Sequence, residues 1–450
     1  MRTRHRLIAY AGRSSLSHLA SPPHHSQRAS DRGSYKLAPR APSPSASSPS
    51  RSLPLSARLS QPTAMQPLYT IPIADRPSGH GSWFNKIVFP LIFDLGILGI
   101  NSAQFLFALL LLLPGGRRYY ERAIDWTKDG FGRLLIAITV LCAPTSLTIT
   151  TNAPPELSGL VGPDGTINLP PRLVLMANHQ AYTDWMYLWI LACYAGHARG
   201  LTILLKASLK HIPFVGWGMQ FFRFIFMHRS WAADRDHLTR SLTRLGKQSA
   251  AGNPLWLLIF PEGTIVSDNE RAKSAKYAAR ENIRDLNGVL HPRSTGLLFA
   301  LRTLVPSIPD IQLLDVTVAY PGVPFGKYPQ EWYGLGSVYL HGVPPPTVRL
   351  HLHLYSVDEI PSLPKPPYNS AEITPLATAE EGREFELWLR NVWTEKEARL
   401  ERMLADDIDE KMPSIVVPIE QRSTHDWIAT FGAGGMMTVA AVAGAIHYFL

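Results

Sequence analysis

Residues 95–113 form nineteen consecutive positions without a charge, closing on Pro114-Gly115-Gly116-Arg117-Arg118. At about 1.5 Å of rise per residue, a helix of this length matches the ~30 Å hydrocarbon core of a bilayer. Asn101, Gln104 and the preceding Asp94 make the run imperfect. A second uncharged run, 134–151, follows a short charged stretch and is broken by Pro144. The charged flanks of both runs predict a membrane helical hairpin over 84–151, with buried helices of a soluble core as the other reading. A third run, 428–450, is rich in small residues, including Ala440/Gly444 and Ala441/Ala445 at four-residue spacing. That spacing permits close helix approach in lipid and predicts a C-terminal membrane helix.

Charge is confined just as sharply. The first 64 residues hold ten Lys or Arg against Asp31 alone, so they carry the whole formal charge of +9. In the remainder, 34 cations meet 34 acids, leaving no net field to attract a nucleic acid. Residues 1–80, rich in Ser, Pro and Arg, have too little apolar pattern to offset their ordering entropy and are expected to be a disordered tail. An Arg- and Ser-rich, acid-poor start also fits a mitochondrial transit peptide. Cys142 and Cys193 lie inside apolar runs and belong to no Cys/His cluster, so they are expected as buried reduced thiols.

Between the apolar runs, 152–415 alternates strand-like and helix-like segments. Stretches 172–176, 201–205, 224–227, 255–260 and 313–320 read as buried strands, and 181–194, 234–248 and 294–304 as helices. This predicts an α/β fold, a mixed, mainly parallel sheet flanked by helices. A domain at 152–345 would be followed by an extension at 346–415, comprising a one-sided strand near a sheet edge (347–357) and a helix (378–404). Thr378 and Glu381 form a capping-box pattern for that helix. His351 and His353 share a strand face, but no third residue with metal-ligand spacing accompanies them, and no metal site is expected.

Three short segments could carry chemistry. In the first, Asn178-His179-Gln180-Ala181-Tyr182-Thr183-Asp184 follows a strand and leads into an apolar helix. If the helix starts just after His179, the imidazole can fold over the first turn onto Asp184, leaving Nε2 free to accept a proton. In the second, Phe260-Pro261-Glu262-Gly263-Thr264 ends another strand and can present an acid and backbone N–H groups to a polar ligand. In the third, Arg229 follows 225–228 and has the geometry to grip a phosphate with two parallel bonds. Each segment alone also fits an ordinary cap, turn or solvated strand end.

Their order and spacing together resemble the glycerolipid acyltransferases of the lysophosphatidate acyltransferase superfamily. The NHxxxxD motif matches Asn178, His179 and Asp184, and FPEGT matches Phe260 through Thr264. Ile225–Met227 with Arg229 is similar to the intervening motif, and Lys206, Leu209, Pro213, Phe214, Gly216 and Trp217 to the stretch before it. His228, residues 291–296 (HPRSTG) and 315–320 (DVTVAY) look like the lysocardiolipin and lysophosphatidylinositol branch. Ile265 stands where many lysophosphatidate-specific members have Arg, and 317–319 replaces the usual Pro-containing fourth motif.

The resemblance implies acyl transfer from acyl-CoA, as donor substrate rather than resident cofactor, to the hydroxyl of a lysophospholipid. His179 would be the base, Asp184 its orienting acid, and Asn178 and Lys206 would position groups or stabilise the oxyanion. Arg229, Glu262, Gly263 and Thr264 would bind substrate. It further implies an integral membrane protein of the endoplasmic reticulum, with a mitochondrial membrane as the alternative. A thioesterase and an idle membrane scaffold are the competing classes.

Overall fold

The computed structural model describes residues 66–152, 159–162, 165–366, 368, 374–405, 414–432 and 435. Eight strands form one sheet: β1 (Ser146–Thr151), β2 (Arg172–Ala177), β3 (Leu201–Lys206), β4 (Ile225–Met227), β5 (Leu255–Ile259), β6 (Gln312–Ala319), β7 (Val348–Tyr355) and β8 (Ser414–Pro418). Their spatial order is β4-β3-β5-β2-β6-β7-β1-β8. The first five in that order are mutually parallel, β7 runs antiparallel to β6, β1 parallel to β7, and β8 antiparallel to β1.

The central strands read as unbroken apolar runs because both faces are covered. Along β2, Leu173 and Leu175 enter one core while Val174 and Met176 enter the other. The first core is filled by α1 (Trp83–Ala108), α2 (Gly116–Cys142) and α3 (Asp184–Tyr194). The second is filled by α5 (Trp231–Ala250), α7 (Ser294–Leu304) and α8 (Ala379–Leu404). Two shorter helices, α4 (Val215–Phe221) and α6 (Asp268–Glu281), complete the layers. Sequence periodicity does not reveal α6, whose buried side is only Ser274 and Ala278. The capping box of α8 is present as expected, with Thr378 and Glu381 bonding each other's backbone N–H.

The membrane expectations divide. Trp83–Leu112, α1 with a closing turn of 3-10 helix, is the one helix long and apolar enough to cross a membrane among the described residues. Asn101 and Gln104 face inward, with Asn101 Nδ2 donating to Phe214 O at 2.9 Å and Gln104 Nε2 to Thr127 Oγ1 at 3.3 Å, while Lys86 and Asp94 are exposed. Leu91, Leu95, Leu98, Leu109 and Leu112 point outward and are exposed. The second run is not the other arm of a membrane hairpin along its length. Its first half, ending α2, is core, with Leu134, Leu135 and Ile138 fully buried. Its second half is β1, which pairs through backbone on both sides. Pro144 marks that change of structure. The helix expected over 428–450 falls largely outside the described residues, which reach only its first turns.

Two other expectations change. The strand at 347–357, placed near an edge, is β7 inside the sheet, because β1 and β8 lie beyond it. The expected extension thus shares one sheet with the rest of the α/β unit. Residues 66–80, assigned to the disordered tail, are docked: Arg76 is buried and donates to Trp332 O at 2.8 Å, and Tyr333 Oη donates to Tyr69 O at 3.1 Å.

These placements separate two kinds of leucine. Leu135→Ala should cost about 2–5 kcal/mol of stability, the scale for emptying a packed core site. Leu112→Ala should leave the melting temperature unchanged in detergent and weaken partitioning into vesicles. Thermal melts and flotation of the two variants check this.

Candidate active site

Because the five strands from β4 to β6 are parallel, the segments following them emerge at one edge of the sheet, where α/β proteins place ligands. Asn178 and His179 follow β2, the 260–264 turn follows its neighbour β5, Lys206 ends β3, and Arg229 lies two residues past β4.

The turn after β2 is built around Asp184. The helix begins at Asp184, not at 181, so 178–183 is free to fold back over the helix start. One carboxylate oxygen, Oδ2, accepts from the backbone N–H of Gln180 (2.6 Å) and Ala181 (3.0 Å) and meets His179 Nδ1 at 2.8 Å. Tyr320 Oη donates to the other oxygen at 2.6 Å. Burial first, and then the Asp184 charge, hold the Tyr320 phenol well above its usual range, so it stays a donor. With Asp184 accepting at Nδ1, the Nε2 lone pair of His179 is left for another proton. Among the described residues, nothing bonds that nitrogen.

The ring and the backbone around it are held at further points. Phe260 stacks on it with ring centroids 4.1 Å apart and planes 16° from parallel. The His179 carbonyl accepts from Val266 N–H at 3.2 Å, and its own N–H donates to Glu262 Oε1 at 3.2 Å. Asn178 exchanges two bonds with the Val318 backbone, at 2.8 and 2.9 Å, which ties the turn to β6.

Glu262 sits elsewhere than the sequence suggests. Its residue is 2% exposed, and its second oxygen accepts from Leu290 N–H at 3.2 Å. The carboxylate therefore lies behind the His179 turn and does not line an open pocket. Burial pushes its pKa up to about 8, partly offset by the Leu290 and His179 amides. Gly263, with φ of +72°, turns the chain outward so that Thr264 reaches the partly open edge. A Cβ on Gly263 would lie 3.7 Å from the side chain of Arg293, whose backbone N–H also bonds Pro261 O at 2.8 Å. Arg293 is exposed and is a cation beside the turn that the sequence reading did not select.

Lys206 and Arg229 share the edge at greater range. Strands about 4.8 Å apart put the end of β3 roughly 10 Å, and that of β4 roughly 14 Å, from the His179 strand. Both side chains are exposed, and neither makes a polar contact with the His179 turn. Arg229 has φ of +66°, and the N–H groups of His228 and Ser230 on either side donate to Asp234 at 2.8 and 3.1 Å.

Support extends to α8. Glu397, buried, accepts from the N–H groups of Asn287 and Gly288, and Gly288 O in turn accepts from Gln180 Nε2 at 3.0 Å. Lys396, also buried, donates to Asp315 Oδ1 at 2.5 Å and Val316 O at 2.8 Å.

An imidazole held by a carboxylate, with a free second nitrogen at an open sheet edge, can take a proton from a hydroxyl or a water. Comparison with known proteins narrows the choice. The Acyltransferase family model matches residues 164–320. A 2-acyl-1-lysophosphatidylinositol acyltransferase of Saccharomyces cerevisiae is 34% identical over 70% of this chain and 84% of its own. The chain belongs to the glycerolipid acyltransferase superfamily. Lysocardiolipin acyltransferase 1 of Gallus gallus is 34% identical over 55% of this acyltransferase and 58% of its own chain. A 1-acyl-sn-glycerol-3-phosphate acyltransferase 2 of Brassica oleracea is 27% identical over 58% and 60%.

Two consequences can be measured on the acyltransferase. Tyr320→Phe leaves a buried carboxylate oxygen without its donor, a charge-assisted bond of ~1.5–3 kcal/mol. Turnover should fall roughly 10- to 150-fold with little change in either KM.

The second concerns Glu262, whose folded pKa near 8 exceeds the ordinary 4.5. Its contribution to stability is full below pH 4.5 and is lost as pH rises through 8. Glu262→Gln cannot ionise, so the wild-type lead in melting temperature should shrink steadily across that window. A gap that widens with pH would contradict the assignment.

Proposed function

We propose that this chain transfers an acyl group from acyl-CoA to the free hydroxyl of a lysophospholipid, with lysophosphatidylinositol as the acceptor to test first. The observation that carries the reading is the 2.8 Å bond between His179 Nδ1 and Asp184, with Nε2 unpartnered at the open edge. His179 takes the hydroxyl proton as the acceptor oxygen attacks the thioester carbonyl. Asp184 stabilises the imidazolium and does not itself become protonated. The oxygen adds to the carbonyl, the tetrahedral intermediate collapses, and the CoA thiolate leaves. His179 returns the proton to the thiolate, and no acyl-enzyme is formed.

Asn178 fixes the turn, and Lys206 with neighbouring backbone N–H groups is assigned to the oxyanion. Arg229 is assigned to the acceptor phosphate, while Gly263 and Thr264 form the near wall of the polar pocket. Glu262 serves from behind, as a positioning residue on the His179 backbone. No metal or resident cofactor enters this scheme. The inositol acceptor is favoured by the relative that covers this chain most fully among those compared above, and by the departures from lysophosphatidate-type motifs at Ile265 and 317–319. A membrane-embedded α1 would keep the edge within reach of lipid, in the endoplasmic reticulum or, if residues 1–64 act as a targeting signal, in a mitochondrial membrane.

The test is acyl transfer by purified full-length protein from labelled acyl-CoA to lysophosphatidylinositol, lysophosphatidate and monolysocardiolipin. His179→Ala should lose roughly 10²–10⁴-fold in rate while the protein stays folded. Arg229→Lys should raise the lysolipid KM roughly 10- to 150-fold and leave the acyl-CoA KM nearly constant. A selective rise in the acyl-CoA KM would assign Arg229 to the donor. Thiol release that is indifferent to lysolipid would make the protein a thioesterase.

A further inference from the structure

A cleft of about 630 Å³ opens between the start of α2 and the second half of α5, and none of the residues assigned to acyl transfer lines it. Its cations are Arg117 from α2 and Arg240, Arg244 and Lys247 from α5, with Glu121 as the single acid. Glu121 is already shared, accepting from Arg117 and Arg223 at 3.1 Å each. Among the described residues, no carboxylate pairs with Arg240, Arg244 or Lys247. The Nε of Arg244 is buried without a hydrogen-bond partner. Burial, then the charge of Arg223, lowers the Arg244 pKa, and Glu121 offsets this only in part. Three guanidiniums and an ammonium thus line a cleft that holds one carboxylate, an arrangement that an added anion would relieve.

The topology keeps this cleft away from His179. Asn253 lines it just before β5, and Arg223 stands just before β4, so it lies where the parallel strands begin. The catalytic turn lies where they end. With strands of five or six residues at about 3.3 Å each, the two are on the order of 15–20 Å apart.

We propose that this cleft is a second site, binding a phosphate group. Guanidinium pairs suit phosphate oxygens, with two parallel bonds per Arg. The surroundings favour a phosphate carried on a lipid. Exposed Leu111, Leu112 and Leu113 close the apolar helix four residues before Arg117, so aliphatic surface and cations adjoin as acyl chains and headgroup do in a bilayer. Free phosphate in solution offers the same chemistry.

The test uses purified full-length protein in an uncharged detergent and reads the melting temperature against added dioctanoyl phosphatidic acid, inorganic phosphate and dioctanoylglycerol. A phosphate-bearing probe should raise the melting temperature, with the effect fading as salt is added. A response to phosphatidic acid alone assigns the ligand to the bilayer. An equal response to inorganic phosphate assigns it to solution, and either result supports the site. Arg240→Ala/Arg244→Ala should weaken the apparent affinity at least tenfold, whereas His179→Ala should keep it. No shift with either phosphate probe, or an undiminished shift in the double variant, overturns the proposal. If the double variant does not fold, Lys247→Ala at its exposed position should weaken the response severalfold, and an unchanged response there overturns the proposal equally. A shift with dioctanoylglycerol matching that of phosphatidic acid also overturns it, since the tails would then suffice.

Discussion

One buried carboxylate organises the sheet edge around His179. Asp184 sits fully buried at the first position of α3 and meets four partners: two backbone N–H groups, the His179 ring and the Tyr320 hydroxyl. A buried charge is tolerated only when its oxygens are satisfied. Here the same bonds that satisfy it also shape the 178–183 turn and fix the imidazole tautomer. The partners come from one turn and from the end of β6, so the arrangement requires β2 and β6 to be neighbours. Burial of the central sheet on both faces secures that pairing.

The support around His179 reaches beyond the segment that defines the family. Glu262 holds the His179 backbone and the Leu290 amide together, while Glu397 of α8 holds the 287–288 amides from the other side. Helix α8 is therefore part of the frame of the candidate active site, although it lies well past residue 320 in sequence. Lys396 and Asp315 add a fully buried ion pair between α8 and β6. Such a pair contributes little net stability after desolvation, but removing either partner alone would strand the other charge.

On the opposite face, α1 divides its residues by solvent. Asn101 and Gln104 bond protein groups, and the leucines turn away from the protein. Beyond the exposed Asp94 the outer face of α1 is apolar and suits hydrocarbon, whereas α2 beside it has its last turns buried in the core. The two helices are similar in length but differ in what surrounds them.

Much of this molecule was legible along the chain. Period-2 and unbroken apolar runs located six of the eight strands, and the Thr378/Glu381 pair located the start of α8, because these signals depend on neighbours a few residues away. The His179–Asp184 pair was legible for the same reason, given only where the helix begins. What the sequence could not decide was which buried surface covers an apolar run. Residues 134–151 are apolar because protein packs on them, and 95–113 because one face meets none, yet hydropathy alone scores both alike. Phe260, Arg293 and Tyr320 lay within motif-like stretches, but their contacts with the His179 turn were out of reach, since each approaches it through a strand pairing or loop that joins distant parts of the chain. Glu262 shows the limit most plainly: its position after β5 can be read from sequence, but only the packing of α8 and the 287–290 loop over it turns its carboxylate inward, onto the His179 and Leu290 amides.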